Sequence, residues 1–393
     1  MGIQQNGNHL TDEITIVNVK PKTIPNCSHL PPLVSALKAS AERNTVAFHF
    51  PGHKRGEAAP SSLTGLIGTK PFLHDVTEIP ELDRFFCPKG PLLEAKKLAA
   101  ELFGAKETWF LVGGTSCGVQ AAVMATCSPG DTIILPRNAH ISATTGVIFS
   151  GAIPKYIIPE HNADWDVALG VTPAQESLIV DEAHGAHFKF HLEMPKTALD
   201  QGADISIQST HKVLSSFSQS SMLHISGDMI DRERLQKCLH SLQSTSPSWL
   251  LLASLDAARH QLSTSPNTIF NEAVKLAKEA KILISKIPGI SVLDLSASPD
   301  FPGMDPLRIT VGVWRLGLSG FQANEILDNK LGIIPELVGT NSVTLAFSLG
   351  TTREHVSRLV SGLKYLSTTF PVRKCEKEKI FVAENAPCTV ILS

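Results

Sequence analysis

The chain has 393 residues, which is long enough for two or three domains and a large buried core. Its 42% hydrophobic and 18% charged residues are typical of a globular protein. The formal net charge of −2 excludes the basic excess that a nucleic-acid-binding protein carries. No apolar run approaches the ~20 residues of a membrane-spanning helix, so neither nucleic acid nor membrane is expected as a partner.

The N-terminal segment 1–28 is polar and contains acidic residues. It has neither the apolar stretch of a secretory signal nor an Arg- and Ser-rich composition. The seven cysteines are irregularly spaced without a C-x-x-C pair, which indicates reduced thiols. We therefore expect a loose N-terminal arm on a cytoplasmic protein, or on an organelle protein whose presequence is missing.

Predicted helices and strands alternate in the next part of the chain. A helix with a 3.6-residue apolar period begins at Pro91 and ends at Gly104. Further helices are predicted to begin at Thr115 and His140, and the predicted strands are 108–112, 132–136, 155–159, 177–180, 205–209 and 221–225. This alternation predicts an α/β fold with a mainly parallel sheet and helices on both faces. Ligands of such sheets lie beyond the carboxyl ends of the strands.

The C-terminal part has a different pattern, which predicts a smaller α+β domain. A helix is predicted over about 268–286, followed by strands at 290–294, 307–313 and 343–347. Thr351 and Glu354 have the spacing of a capping box and predict a helix through Leu366. The expected organisation is an N-terminal arm 1–28, a major domain 29–265, a small domain 266–370 and an irregular tail 371–393.

A candidate phosphate site follows the predicted strand 108–112. Gly113 and Gly114 allow a tight turn, and Thr115 and Ser116 then begin a helix. The unpaired N–H groups and the dipole of a helix N-terminus favour an anion such as phosphate. Alone, the same residues are equally typical of an ordinary helix cap.

Asp181 and Lys212 follow two further predicted strands, 177–180 and 205–209. Each alone is commonly a solvated surface charge. Together with the phosphate cradle they match a cofactor that has a phosphate, a pyridine nitrogen and an aldehyde. The amine forms a Schiff base with the aldehyde, and the carboxylate pairs with the protonated ring nitrogen. The three features therefore predict a pyridoxal 5'-phosphate site.

Several segments also carry a family resemblance: FHFPGHKRG, HDVTEIPELD, GPLLEAKKLAAELFGA, LVGGTSCG, PRNAHISATTG, VDEAHGAH and QSTHKVLSSFSQSSMLHISG. They resemble the Orn/Lys/Arg decarboxylase family, whose members have the aspartate-aminotransferase-like fold (fold type I). The resemblance extends from about residue 29 to 366. Its most specific part is the Ser-x-His-Lys motif with the SFSQ that follows it.

The resemblance implies roles for individual residues. Lys212 would hold pyridoxal 5'-phosphate covalently, and Asp181 would pair with its ring nitrogen. His140 would contact one face of the cofactor ring, and Ala183 and His184 the other face. His211 would lie beside the reacting carbon. The residues expected to bind the phosphate are Gly114, Thr115, Ser116 and Ser209. The implied catalytic residues are thus Lys212, His211 and Asp181.

The resemblance also implies the reaction, which is decarboxylation of a basic amino acid to its amine and CO2, feeding polyamine synthesis. His211 or Lys212 would return the proton to the α-carbon. The compact layout resembles the arginine/lysine branch of the family. Arginine is the favoured substrate, and lysine or ornithine are alternatives. A homodimer or larger homo-oligomer is expected, because this scaffold builds its site at a twofold interface.

Other histidines are interpreted as structural. His53 is taken as a turn residue and His187 as a core imidazole with a satisfied partner. No two of His53, His140, His161, His184, His187 and His211 are separated from each other by the H-x-x-x-H spacing of a zinc site, so no metal site is predicted.

The chain departs from the family pattern in two places. Only EHNADWDVALGVTPAQE stands where the family has a further strand and helix, and the family's C-terminal module is absent. In this scaffold the missing strand would lie inside the sheet, beside the strand of Asp181. A catalytically impaired splice form or paralogue with a regulatory or partner-binding role is therefore one alternative. An aminotransferase is another, although no carboxylate-binding arginine is recognisable: Arg353 and Arg358 fall on the capped helix.

Overall fold

A computed structural model describes residues 30–43, 46–162, 164–165, 167–168, 179–294 and 303–373. The predicted N-terminal arm lies outside these residues, as does most of the predicted tail. The described α-helices are α1 Pro32–Glu42, α2 Ser61–Ile67, α3 Lys70–His74, α4 Pro91–Phe103, α5 Gly114–Thr126, α6 Ile141–Ser150, α7 Thr210–Val213, α8 Arg232–Leu242, α9 Trp249–Thr264, α10 Asn271–Ser285, α11 Gly320–Leu331 and α12 Arg353–Thr369.

The described strands are β1 Glu107–Leu111, β2 Thr132–Pro136, β3 Ile153–Ile157, β4 His161–Asn162, β5 Val167–Ala168, β6 Ile179–Asp181, β7 Ile205–Gln208, β8 Ser221–Ile225, β9 Ser291–Val292, β10 Arg308–Gly312, β11 Leu337–Val338 and β12 Ser342–Ala346. The strands predicted between residues 108 and 225 all form, and their described ends are shifted by up to two residues. Residues 177 and 178 of the predicted strand 177–180 lie outside the described residues. The short pair β4 and β5 was not predicted, because two-residue strands leave no periodic pattern.

The main sheet has the strand order β1-β8-β7-β6. β6 and β7 are parallel, whereas β8 is antiparallel to both of its neighbours, so β1, β6 and β7 run in one direction and β8 in the other. All residues of β7 and β8 are buried, since helices cover this part of the sheet. The shared direction of β1, β7 and β6 brings their carboxyl ends to one edge of the sheet, where the three candidate features were predicted.

A second sheet has the order β11-β12-β10-β9, and all of its described pairs are antiparallel. It belongs to the region predicted as a small α+β domain, and the predicted boundary at 265/266 falls between α9 and α10. One continuous core contains side chains from both regions, such as Phe110 on β1, Trp249 on α9 and Val311 on β10. The two sheets therefore share a hydrophobic core, and the exact domain division stays a prediction.

Strands β2 and β3 form a separate parallel ladder. Within the described residues no strand pairs with the second edge of β6 or of β2. The ladder is attached through helices instead: α5 packs against α6, and Val123, Leu135 and Val147 form a small core between them. The sheet is thus divided at the position where the sequence analysis expects a missing strand.

The predicted capping box at Thr351 and Glu354 is wrong by one residue. Thr352 is the N-cap of α12: its hydroxyl accepts a hydrogen bond from the His355 amide (3.3 Å), and the His355 ring accepts one from the Thr352 amide (3.3 Å). The Thr351 hydroxyl instead accepts from the Ser348 amide at 3.0 Å and closes the preceding turn. A histidine ring can supply the acceptor that a glutamate supplies in the usual pattern.

Candidate active site

The N-termini of α5 and α7 meet at the carboxyl edge of the main sheet. The hydroxyl of Thr115, in the first turn of α5, hydrogen-bonds with that of Ser209, the N-cap residue of α7, and lies 3.0 Å from the hydroxyl of Ser221 on β8. All three side chains are buried. The segments that follow β1 and β7 are therefore joined through side-chain hydroxyls, and the expected contact of Thr115 and Ser209 with a phosphate stays a prediction.

The turn before α5 has two glycines, Gly113 and Gly114, and neither can be replaced without strain. Gly114 has a φ of +74°, and a Cβ on Gly113 would come within 2.8 Å of the Cβ of Cys117. Gln219 supports the turn, because its side-chain amide donates to the Val112 carbonyl at 2.7 Å. Ser116, by contrast, is exposed. The turn thus leads into a helix N-terminus whose first amide groups have no partner within the helix, which is an arrangement that favours an anion.

Asp181 ends β6, and its side chain is open to solvent at the sheet edge. Partial desolvation by the surrounding protein raises the pKa of Asp181, and a hydrogen bond from the Ala183 amide (3.1 Å) and electrostatic interactions with His140 and Lys212 oppose this shift. Asp181 therefore interacts with both His140 and Lys212. The neighbouring Glu182 is buried and accepts hydrogen bonds from Ser206 and Gln208 on β7, which fixes the end of β6 against β7.

Lys212 contacts a histidine that in turn contacts the second sheet. The Lys212 Nζ lies 2.9 Å from His184 Nε2, and the Arg308 Nη2 at the start of β10 lies 3.4 Å from His184 Nδ1. Burial, together with the positive charges of Lys212 and Arg308, lowers the pKa of His184 to about 4. His184 is therefore a neutral imidazole at physiological pH.

A buried pair anchors the same loop. His187 is fully buried, and its Nε2 lies 3.1 Å from Asp305 Oδ1. Burial alone would raise the pKa of Asp305, but the hydrogen bond from His187 and the charges of His187 and Arg308 lower it overall. The pair joins the loop after β6 to the segment before β10. His187 thus lies in the core, as the sequence analysis expected, but it is only partly satisfied, because its Nδ1 is buried without a hydrogen-bond partner among the described residues.

His211 and His140 have defined ring orientations. The His211 Nδ1 donates to the Ser220 carbonyl at 3.0 Å, which leaves Nε2 as the acceptor nitrogen of the neutral ring. His140 is the N-cap of α6, and its Nδ1 accepts from the Ser142 amide at 3.2 Å. His53, the other histidine that the sequence analysis interprets as structural, lies 3.1 Å from Asp75 and precedes a short 3-10 turn.

Sequence reasoning did not find Arg308, Asp305 or Gln219. Arg308 and Asp305 lie more than 90 residues after Lys212 and approach it only because the second sheet packs beside the loop after β6. No local spacing could have indicated them. Gln219 stands in the SFSQ segment, and its positive φ of 78° in the structure is a feature that side-chain patterns do not reveal.

These residues fit pyridoxal 5'-phosphate. The anion cradle with Thr115 and Ser209 matches the phosphate, the carboxylate of Asp181 matches a protonated pyridine nitrogen, and the amine of Lys212 matches the aldehyde. Among the described residues, no group of three or more His, Cys, Asp or Glu side chains could hold a metal ion. In the same part of the chain, no helix is long and apolar enough to cross a membrane.

Comparison with solved structures supports the fold class, which is the α/β fold of the fold type I proteins. The lysine decarboxylase LdcF of Francisella novicida superposes with a TM-score of 0.76 at 22% identity, over 86% of this chain and 60% of that chain. An aminotransferase for ureidoglycine and glyoxylate from Bacillus subtilis superposes with a TM-score of 0.54 at 15% identity, over 71% and 84% of the two chains. The chain thus spans about 60% of the length of the lysine decarboxylase.

Sequence comparison gives the family. The family described as Orn/Lys/Arg decarboxylase, major domain, matches residues 31–176 and 166–300. An arginine decarboxylase of Bacillus subtilis is 35% identical over 376 residues, with 85% of this chain and 77% of the relative covered. An arginine decarboxylase of Halalkalibacterium halodurans is 33% identical over 395 residues, covering 89% of this chain and 80% of the relative. The chain belongs to the Orn/Lys/Arg decarboxylase family.

The same comparisons mark the internal gap. The family match falls into two segments that meet at residues 166–176, within the stretch where the sequence analysis found no counterpart of a family strand and helix. The alignment with the Halalkalibacterium halodurans relative is 395 residues long although the whole chain has 393 and only 89% of it is aligned. This chain therefore lacks positions that the relative has.

Proposed function

We propose that the chain is a pyridoxal 5'-phosphate-dependent decarboxylase that converts arginine to its amine and CO2. The observation that carries the proposal is the meeting of an amine, a carboxylate and an anion cradle at one sheet edge. Lys212, Asp181 and Thr115 come from the ends of β7, β6 and β1, so no single local motif accounts for their proximity.

In this proposal each residue has one task toward the cofactor. Lys212 binds it covalently, Asp181 pairs with its ring nitrogen, and the α5 N-terminus with Thr115, Ser116 and Ser209 binds its phosphate. When bound, pyridoxal 5'-phosphate supplies an electron sink for the charge left on the α-carbon as CO2 departs. The remaining proposed contacts of the ring are His140 on one face and Ala183 and His184 on the other.

His211 is the proposed proton donor to the α-carbon. Because its Nδ1 donates to the Ser220 carbonyl, the ring is held in place, and Nε2 is the nitrogen that first takes up a proton and then donates it to the α-carbon. Lys212 is a second candidate for this step once its amine is released. Both residues belong to α7 and its immediate surroundings, so a proton needs to move only a short distance.

Arginine is proposed as substrate because the relatives that are 33–35% identical to this chain are named arginine decarboxylases. Relatives named lysine decarboxylases are only 23–24% identical. The amine formed would be a precursor for polyamine synthesis. The test is release of labelled CO2 from carboxyl-labelled arginine, lysine and ornithine, with added cofactor. Release should be greatest from arginine, and release that is equal with boiled protein would refute the proposal.

Replacing Asp181 by Asn is expected to lower decarboxylation by about 100-fold or more while the protein stays folded, because the ring nitrogen loses the carboxylate that keeps it protonated. Turnover and circular dichroism are measured together. Asp228→Asn is the matched control, since Asp228 is an exposed carboxylate that pairs with Lys106 away from the site. Near-normal turnover of Asp181→Asn would show that Asp181 does not set the electronics of the cofactor.

We further propose a homodimer or larger homo-oligomer with isologous contacts. Phe48 and Phe50 support it: they are 91% and 76% exposed and stand close together in the chain, which is unusual for the surface of a monomer. Light scattering is expected to give at least twice the mass of the chain. A Phe48→Asp, Phe50→Asp variant should dissociate. A stable monomer that still turns over arginine would contradict the proposal.

A catalytically impaired form with a partner-binding or regulatory role is the second candidate function. One observation favours it: β6, which carries Asp181, lies at the end of the main sheet and has no described partner on its second edge. In that case the protein should bind the cofactor but release no more CO2 than its Lys212→Ala variant.

A further inference from the structure

A cavity of about 640 Å³ lies along β1. Its walls are one face of α4, β1 with the residues just before it, the segment before α4, and α8. None of the residues assigned above to the candidate active site lines it. Small-molecule sites in proteins have volumes of about 300–1,000 Å³, so the cavity is large enough for a ligand of its own.

The lining combines aromatic surface with a few polar groups. Phe86, Trp109 and Phe110 contribute rings. The polar groups of two glutamines in the lining are already engaged in part, because Gln236 Nε2 donates to the Phe86 carbonyl and Gln243 Oε1 accepts from a backbone amide of the segment after β1, each at 2.9 Å. The aromatic surface favours a flat apolar ligand body.

Lys96 is the charged group of the lining that lacks a counterion. Its side chain is partly buried, and its Nζ lies 5.7 Å from the centre of the Trp109 ring. Within the described ranges, no carboxylate forms an ion pair with it and no acceptor forms a hydrogen bond with it. A contact between a cation and an aromatic ring stabilises by only about 0.5–2 kcal/mol, so it does not replace a lost hydration shell.

The electrostatics of Lys96 have the same direction. Burial lowers the pKa of Lys96 to about 8, and the more distant charges of Glu107 and Asp83 oppose this shift without cancelling it. The surroundings therefore disfavour the ammonium form. An anion bound in contact with Nζ would compensate the desolvated charge.

The other charges of the lining limit the ligand to one negative charge. Lys106 and Glu107 are each held in an ion pair with a residue outside the cavity, at 2.6 and 2.8 Å. Lys97 and Glu101 also line the cavity, and their opposite charges offset each other. Glu101 and Glu107 would repel a polyanion, whereas a single carboxylate on Lys96 leaves the cavity close to neutral.

We propose that this cavity binds a small aromatic carboxylate, with the anionic group on Lys96 and the ring against Phe86 and Trp109. The site is independent of the proposed function, since it needs neither the cofactor nor turnover. The contrasting state is a cavity in which the stem of Lys96 only covers Trp109 and its charge faces water. The two states differ in whether the charge of a ligand changes its affinity.

The first test compares two ligands of the same shape. The probe is 2-naphthoate, and 2-naphthamide is the control that has the same rings without the charge. The full chain carries 5-fluorotryptophan at its four tryptophans, and the fluorine signal of Trp109 is assigned by its loss in Trp109→Phe. The Trp109 signal should shift with each ligand, with a Kd about tenfold lower for naphthoate. No shift of this signal, or equal affinities for the two ligands, would overturn the proposal.

The second test removes the charge of the protein. Lys96→Met keeps an unbranched apolar side chain, so it should weaken naphthoate about tenfold, to the affinity of naphthamide, and leave naphthamide unchanged. Unchanged naphthamide binding also shows that the cavity is intact. Lys96→Arg, which keeps the positive charge, should retain most of the preference for naphthoate.

Lys237→Met is the matched control. Lys237 lies on α8, is exposed, pairs with Glu233 at 2.7 Å and does not line the cavity. Its loss should leave both affinities as they are in the unmodified chain. Undiminished naphthoate binding in Lys96→Met would refute the role of Lys96, and if that variant does not fold, the comparison of the two ligands on the unmodified chain decides.

Discussion

Lys212→Ala is expected to abolish covalent binding of pyridoxal 5'-phosphate and to reduce decarboxylation to the background of the reaction without protein. The physical reason is that the amine at the end of β7 is the group placed beside both Asp181 and His184. Without it the aldehyde has no nucleophile within the site, and the cofactor is held only through its phosphate and ring nitrogen. Visible absorbance of the purified protein, followed by borohydride reduction and peptide mass mapping, measures the loss.

The control for this prediction is Lys54→Ala. Lys54 lies in the PGHKRG segment, which also carries the family resemblance, and its amine donates to the His49 carbonyl at 2.8 Å. Removing it should leave the visible band and the mapped adduct unchanged. An adduct on Lys54, or on any peptide without Lys212, would show that the covalent assignment is wrong.

The elements around the site could be predicted from the sequence because their signals are local. Pro91 and Gly104 mark the ends of α4 with the expected proline and left-handed glycine positions, and the strands before Thr115, Asp181 and Thr210 are short apolar runs. The meeting of the Thr115 and Ser209 hydroxyls then follows from the sheet order. A functional site can therefore be predicted from the sequence when the residues that form the site directly follow strands.

Other features depend on long-range packing and could not be predicted. Arg308 reaches His184 from a different sheet, and the antiparallel direction of β8 has no sequence signal, because strand composition is the same in either direction. The shift of the α12 capping box from Thr351 to Thr352 depends on which hydroxyl the preceding turn uses. In each case two local conformations fit the sequence equally well, and contacts with the surrounding structure determine which one forms.

The gap between β6 and the β2–β3 ladder, where the family's further strand is missing, also leaves apolar surface exposed. Side chains on or beside β2, β3 and α6 that would be covered in a doubly wound sheet are largely exposed: Ile134, Ile148, Phe149, Ile153, Tyr156 and Ile158. Ile158 is 83% and Ile148 71% exposed. A patch of this kind is an aggregation risk unless another chain or segment covers it.

The divided sheet does not close over the gap. β6 keeps its pairing with β7, and Glu182 ties the end of β6 to Ser206 and Gln208 through hydrogen bonds of 2.8 and 2.7 Å. Moving β6 by one strand position, about 4.8 Å, would break these bonds and carry Asp181 away from Lys212. The contacts on the β7 side thus preserve the candidate site, while the other edge of β6 has no described partner strand.

Inserting the family's missing strand and helix after Pro173, which lies outside the described residues, is expected to raise both stability and turnover. The strand would pair with the open edge of β6, and each buried backbone hydrogen bond otherwise left unmade costs about 1–3 kcal/mol. The helix would cover the exposed side chains, each of which contributes about 1.5–3 kcal/mol when fully buried. We expect this gain to exceed the conformational-entropy cost of ordering the new unit by about 3–5 kcal/mol, which for a chain of this length corresponds to a rise in Tm of about 5 °C.

The decisive comparison uses three proteins: the chain as it stands, the chain with the family unit, and a control with a Gly/Ser linker of equal length at the same position. Melting temperature, binding of a hydrophobic dye and CO2 release from arginine and lysine are measured for each. The family unit should raise Tm, reduce dye binding and increase turnover, whereas the linker should change none of them, because it has no apolar face and no strand propensity. Equal Tm and equal turnover for all three would mean that β6 needs no second neighbour, and that the candidate site functions at the edge of a four-stranded sheet.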